Sequence, residues 1–180
     1  MVWNRSRVVL VGASVLLAAS TVLSPSVAGA AVSPEGGVVA SFGGRSIDLS
    51  AGWGAARACV SDGVITQCFR SEAEMDAALE TTTATMVAAS STCSSSLRLY
   101  RSTSFGGSVL FLTAQGVMFN LSTYGFDNDT SSYRVGACDA SFYDGANGGT
   151  PIYTGPTSAG SSASFMLSGW DNRVSSVYLP

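Results

Sequence analysis

From Leu97 onward the chain predicts an all-β sandwich of short antiparallel strands, preceded by a small β-hairpin and one short helix. Three observations carry that expectation. Helical periodicity disappears after Leu97, and brief extended runs alternate with Gly, Asn, Asp and Ser turns. The stretch Gly125–Ser132 (GFDNDTSS) returns as Gly169–Ser176 (GWDNRVSS), so one supersecondary unit is written twice. The four cysteines, Cys59, Cys68, Cys93 and Cys138, form an even set that suits two disulfides in an exported chain.

Export is itself an expectation. Arg5 and Arg7 precede an uncharged apolar run from Val8 to Leu23, followed by Pro25 and Ala28-Gly29-Ala30. This is the tripartite pattern of a secretory signal cut after Ala30. The run falls short of the roughly 20 residues a membrane span needs. The expected organisation is a signal peptide over 1–30, a hairpin, helix and linker segment over 31–92, and a β-domain over 93–180, secreted as a monomer.

Charge and composition then exclude several functions. Taking Arg5 and Arg7 from the nine basic residues leaves seven, all Arg, against twelve Asp and Glu, a net charge of about −5 beyond Ala30. An acidic surface without lysine argues against nucleic acid and anionic membranes as partners. The absence of histidine removes Ser-His-Asp and Cys-His triads and His-rich zinc sites. No pair of carboxylates stands out as acid and base, so the protein is not expected to be an enzyme.

Along the N-terminal segment, Val38–Phe42 and Ser46–Leu49 flank a Gly43-Gly44 turn. The run from Ala58 to Phe69 is broken by Asp62-Gly63, a dipeptide suited to a tight hairpin turn. A two-residue turn there sets Cys59 opposite Thr66, so a Cys59–Cys68 bridge calls for a bulge or a longer loop. Ser71-Glu72-Ala73-Glu74 has the capping-box pattern, and Met75, Ala78 and Leu79 share a face, which predicts a helix over 72–80. The Ser, Thr and Ala-rich run from Thr81 to Ser96 reads as a linker. Strands follow at Leu97–Tyr100, Ser108–Thr113, Ser132–Val135, Ser141–Tyr143 and Ser176–Leu179. Cysteine pairing within segments favours Cys59 with Cys68 and Cys93 with Cys138, one of three possible connectivities.

Each repeated stretch is preceded by a hairpin pattern of its own: Tyr100-x4-Phe105-x-Gly107 in the first copy and Phe142-x4-Asn147-x-Gly149 in the second. An aromatic, a second aromatic five residues on and a nearby glycine describe a folded hairpin whose ring packs over the turn. Together with the doubled Asp-Asn-x-x-Ser-Ser, these patterns resemble the βγ-crystallin family over roughly 97–180. The resemblance implies a double Greek key sandwich in which the two stretches jointly build two calcium sites at the top of the domain. It marks Asp127, Asn128, Asp129 and Ser131 from the first stretch, with Asp171, Asn172, Arg173 and Ser175 from the second. Arg173 stands where the family uses a backbone carbonyl. Asn147 replaces the second aromatic, so the second hairpin is expected to be looser than the first.

The residues alone point the same way. Calcium takes about six to eight oxygens from carboxylates, amides, backbone and water, which is what these stretches supply. The competing reading is that Asp-Asn and Ser-Ser only cap turns. Two functions follow: a secreted calcium-binding structural or interaction module, or a secreted proteinase inhibitor of the crystallin-fold metalloproteinase inhibitor type. The second would present a rigid loop near Cys138-Asp139 or between Gly145 and Pro156 to a secreted protease.

Overall fold

The computed structural model describes residues 36–85 and 97–180, the side chains of 82–85 excepted. The expected signal peptide, most of the expected linker and Cys93 lie outside them. Gly43 and Gly44, at φ of 56° and 77°, fold β1 (Val39–Phe42) back onto β2 (Arg45–Asp48). Side chains with a Cβ rarely take that left-handed conformation.

The second hairpin joins β3 (Ala58–Ser61) to β4 (Thr66–Phe69). Its loop is four residues, Asp62 to Ile65, where the sequence suggested two. Asp62 Oδ1 accepts the amides of Val64 and Ile65 at 2.8 and 2.6 Å. That side-chain turn widens the loop enough to set Cys59 directly opposite Cys68, and the two are disulfide-bonded. Cys138 is also disulfide-bonded, while the expected Cys93–Cys138 pairing has its other end outside the described residues.

The capping box forms as expected: the Glu74 amide donates to Ser71 Oγ at 3.1 Å and the Arg70 amide to Glu74 Oε2 at 3.0 Å. Helix α1 (Glu72–Thr85) runs past Glu80, so the first residues of the expected linker are helical. The Thr81 hydroxyl bonds back to the Ala77 carbonyl at 2.9 Å, which takes its polar group out of competition for other backbone partners.

Seven further strands follow: β5 (Leu97–Ser102), β6 (Gly106–Leu112), β7 (Val117–Asn120), β8 (Ser132–Val135), β9 (Ser141–Tyr143), β10 (Ser162–Ala163) and β11 (Ser176–Leu179). They form two sheets that exchange strands. One carries β10-β8-β5-β6, the other β7-β11-β9, so each half of the repeat lends one strand to the sheet of the other. Ile152 bridges to Tyr143 beside β9. This is an all-β sandwich of two interlocked Greek keys.

The N-terminal strands do not stand apart from it. β3 pairs in parallel with β6 (Cys59 opposite Leu110, Ser61 opposite Leu112), so the first sheet continues as β3-β4-β1-β2 to eight strands. Nothing in the sequence marks this pairing, because a sheet edge recruits a neighbour through backbone groups.

Both faces of the long sheet are covered. Between the sheets, Leu99, Leu110 and Tyr133 of the first meet Phe142 and Val177 of the second. On the other face α1 packs Met75 against Ala58, Phe69, Tyr100 and Val109. Arg98 holds α1 down, donating to Glu72 at 2.5 Å and Asp76 at 2.6 Å while lying 4.6 Å above the Phe111 ring. The Tyr100 hydroxyl donates to Glu72 at 2.7 Å. Burial, and then the bond and charge of Glu72, push its pKa up to about 12.

Candidate metal centre

The two repeated stretches meet. The Asn128 amide donates to the Val174 carbonyl, and the Asn172 amide to the Thr130 carbonyl, both at 3.0 Å. Both asparagines take a left-handed φ of 54°, which Asn tolerates better than most residues. Their side chains are crossed in the same way. Ser131 Oγ donates to Asn172 Oδ1 at 3.2 Å, and Ser175 Oγ to Asn128 Oδ1 at 3.3 Å. Each stretch thus offers a hydroxyl to the amide oxygen of the other, about a local two-fold axis.

The charged residues sort differently. Asp127 and Asp171 are exposed beside these pairs, and the Asn128 amide group donates to Asp127 at 3.3 Å. Asp129 is ion-paired with Arg101 of β5. Arg173 is ion-paired with Asp144 at 2.5 Å and donates to the Gly169 carbonyl at 3.2 Å. The fifth position of each stretch therefore carries a charge matched by its own half, with the polarity reversed between copies.

The second serine of each stretch has a separate task that sequence reasoning missed. Ser132 and Ser176 are fully buried. Ser132 Oγ donates to the Ser102 carbonyl at 2.6 Å and accepts the Phe105 amide at 3.0 Å. Ser176 Oγ donates to the Gly145 carbonyl at 2.6 Å and accepts the Gly148 amide at 3.0 Å. Each ties the stretch to the folded hairpin of its own copy. In the first hairpin Phe105 packs edge-on against Tyr100 at 5.7 Å. In the second, Asn147 adopts nearly the same φ (56° against 60°). Its amide donates to Asn120 Oδ1 at 2.6 Å and its Oδ1 accepts from Asn120 Nδ2 at 2.8 Å. Two hydrogen bonds to β7 replace the ring, so this hairpin is anchored where looseness was expected.

The loops differ in their support. Before the first, the Trp53 indole N–H donates to the Tyr124 carbonyl at 2.7 Å, and its ring lies 5.6 Å from Phe126. The Val38 amide donates to the Thr123 carbonyl at 2.8 Å. Arg101 sits 5.2 Å from the Trp53 ring and 4.8 Å from Phe126, and donates to the Gly125 carbonyl at 2.6 Å. Beyond its bonds to the first stretch and to Leu121, the second loop is supported, among the described residues, by its own half: Trp170 packs on Tyr153 at 5.1 Å and under Arg173 at 5.7 Å.

Hydroxyl, amide and backbone oxygens are the donors a hard cation takes, so the residues present suit calcium better than a soft metal. Among the described residues no three His, Cys, Asp or Glu side chains cluster. A cation here would rest mainly on neutral oxygens.

No protein-family model matches the chain, and no curated protein matches it. The chain is similar to βγ-crystallins of known structure. One is a beta gamma crystallin from Ciona intestinalis, 23% identical, with 47% of this chain and 99% of that one covered and a TM-score of 0.41. Another is a betagamma-crystallin from an archaeon, 20% identical over 48% and 99% of the two chains, with a TM-score of 0.39. At these identities the likeness concerns fold only, and the exchanged strands and crossed stretches of this chain are observed independently of it.

Proposed function

We propose that this is a secreted, calcium-binding βγ-crystallin-like module with a structural or interaction role and no catalysis of its own. One observation supports it most: the reciprocal Ser131–Asn172 and Ser175–Asn128 pairs, which bring hard oxygens from two distant stretches within hydrogen-bond distance of each other. Asn128, Ser131, Asn172 and Ser175 would hold the ions, with Asp127 and Asp171 supplying negative charge nearby. Asp129 contributes through its backbone, since its carboxylate serves Arg101. Arg173 does the same, its guanidinium being occupied by Asp144. A bound ion would cross-link the two halves where hydroxyl-to-amide bonds hold them now.

A donor set this poor in charge fits the weak extracellular class of calcium sites, with Kd of about 10⁻⁴ to 10⁻³ M. Calcium at a hundred times Kd should stabilise the fold by about 2.7 kcal/mol. The measurement is the melting temperature in about 100 mM calcium, a hundred times the weaker Kd, against chelator at matched ionic strength; an unchanged value ends this reading.

The inhibitor reading has one observation in its favour. Val64 and Ile65 are 65% and 48% exposed at the tip of a loop closed by the Cys59–Cys68 disulfide. It requires stoichiometric inhibition of a secreted protease that survives calcium removal, and an assay in chelator with a metal-independent protease checks it.

A further inference from the structure

The structure assigns Trp53 as a positioning residue of the first loop, which makes the N-terminal strands part of the cation site. The assignment rests on the calcium reading above and extends it to a segment outside the repeat.

Residues 123–126 lead directly into the ligand-bearing stretch, and the N-terminal unit grips them at successive points. The Val38 amide holds the Thr123 carbonyl, and the Trp53 indole holds the Tyr124 carbonyl at 2.7 Å. Gly125 lies so close to Leu49 that a Cβ there would meet its carbonyl oxygen at 2.2 Å. Trp53, 6% exposed, covers Phe126. On the far side of Asn128, Arg101 ties Asp129 back toward the same Trp53 and Phe126 rings. Asn128, the residue whose Oδ1 meets Ser175, is therefore fixed from both flanks. Among the described residues its counterpart Asn172 has no brace from the N-terminal segment, and a Cβ at Gly169 would meet nothing within 4 Å.

Donors held in place before the ion arrives bind it without first losing conformational freedom. Loosening the brace should weaken calcium, and by reciprocity calcium should tighten the seating of the N-terminal strands.

The test is calcium titration by calorimetry on the folded chain from Ala31. Trp53→Phe keeps an aromatic ring but removes the donor to Tyr124. It should raise the calcium Kd about three- to tenfold, the range one hydrogen bond spans. Met75→Ala, beneath α1 in the separate core, is the control for plain destabilisation: it should lower the melting temperature and leave Kd unchanged. If Trp53→Phe binds calcium as tightly as the parent, or Met75→Ala shifts Kd equally, the assignment is overturned and the calcium reading stands. If the parent binds no calcium, both fall. Should Trp53→Phe fail to fold, Trp170→Phe leaves Trp53 as the sole tryptophan beyond Ala31. Its emission should then respond to saturating calcium, and a silent indole overturns the assignment.

Discussion

The two loops carry almost the same motif, cross each other with the same four hydrogen bonds and tie back to their hairpins with the same serine, yet they are buttressed differently. The Gly125–Ser132 loop leans on Trp53, Leu49 and Val38 from a segment that precedes the repeat. The Gly169–Ser176 loop rests its Trp170 on Tyr153 from its own half. A duplicated unit thus keeps its internal wiring while its outer contacts diverge, and divergence is permitted where the stretch touches something other than its twin.

Paired substitutions sharpen that contrast. The largest difference is expected between Gly125→Ala and Gly169→Ala. Both glycines have positive φ, 60° and 79°, which costs an alanine about 1–2 kcal/mol. Only at Gly125 does the new Cβ also strike a backbone oxygen, bringing the loss to about 3–5 kcal/mol. Urea unfolding of both variants checks this, and equal losses would mean that the N-terminal unit is not seated on the loop in solution.

Ser132→Ala and Ser176→Ala should instead behave alike. Each deprives one amide and one carbonyl of a half-buried hairpin of their partner, at a cost of about 1–2 kcal/mol. A difference in midpoint large compared with the scatter would break the equivalence of the two halves.

The smallest effect has the opposite sign. Thr130 is fully buried and its hydroxyl has no hydrogen-bond partner among the described residues, while Val174 fills the corresponding place in the second copy. Thr130→Val should stabilise by about 1 kcal/mol, because it removes an unsatisfied polar atom at constant shape.

Much of this was legible in the residues. Motif repetition located both loops, the Asp-Gly and capping-box signals located β3, β4 and α1, and β-strand patterning located β5, β6, β8, β9 and β11. The two strands that went unread, β7 and β10, are the two exchanged between the sheets. β7 is a bare apolar run, Val117-Met118-Phe119, without alternation, and β10 is two residues long, Ser162-Ala163. Neither length nor period announces a strand whose partner lies in the other half of the chain. The site shows the same division. Ser131 and Ser175 follow from spacing, whereas the brace from Trp53 and the Asn147–Asn120 bonds depend on contacts between segments far apart in sequence.

The strand exchange also fixes an order of events. Among the described residues β7 finds its strand partner only in β11, where Val117 faces Leu179 and Asn120 faces Ser176. A chain made from its N-terminus can assemble β3 to β6 early, but Phe119 must wait, unpaired and apolar, until residues near 180 have emerged. Such distant pairing slows folding and leaves an adhesive strand exposed for as long as it lasts. The completed domain, once closed, cannot be peeled apart one half at a time.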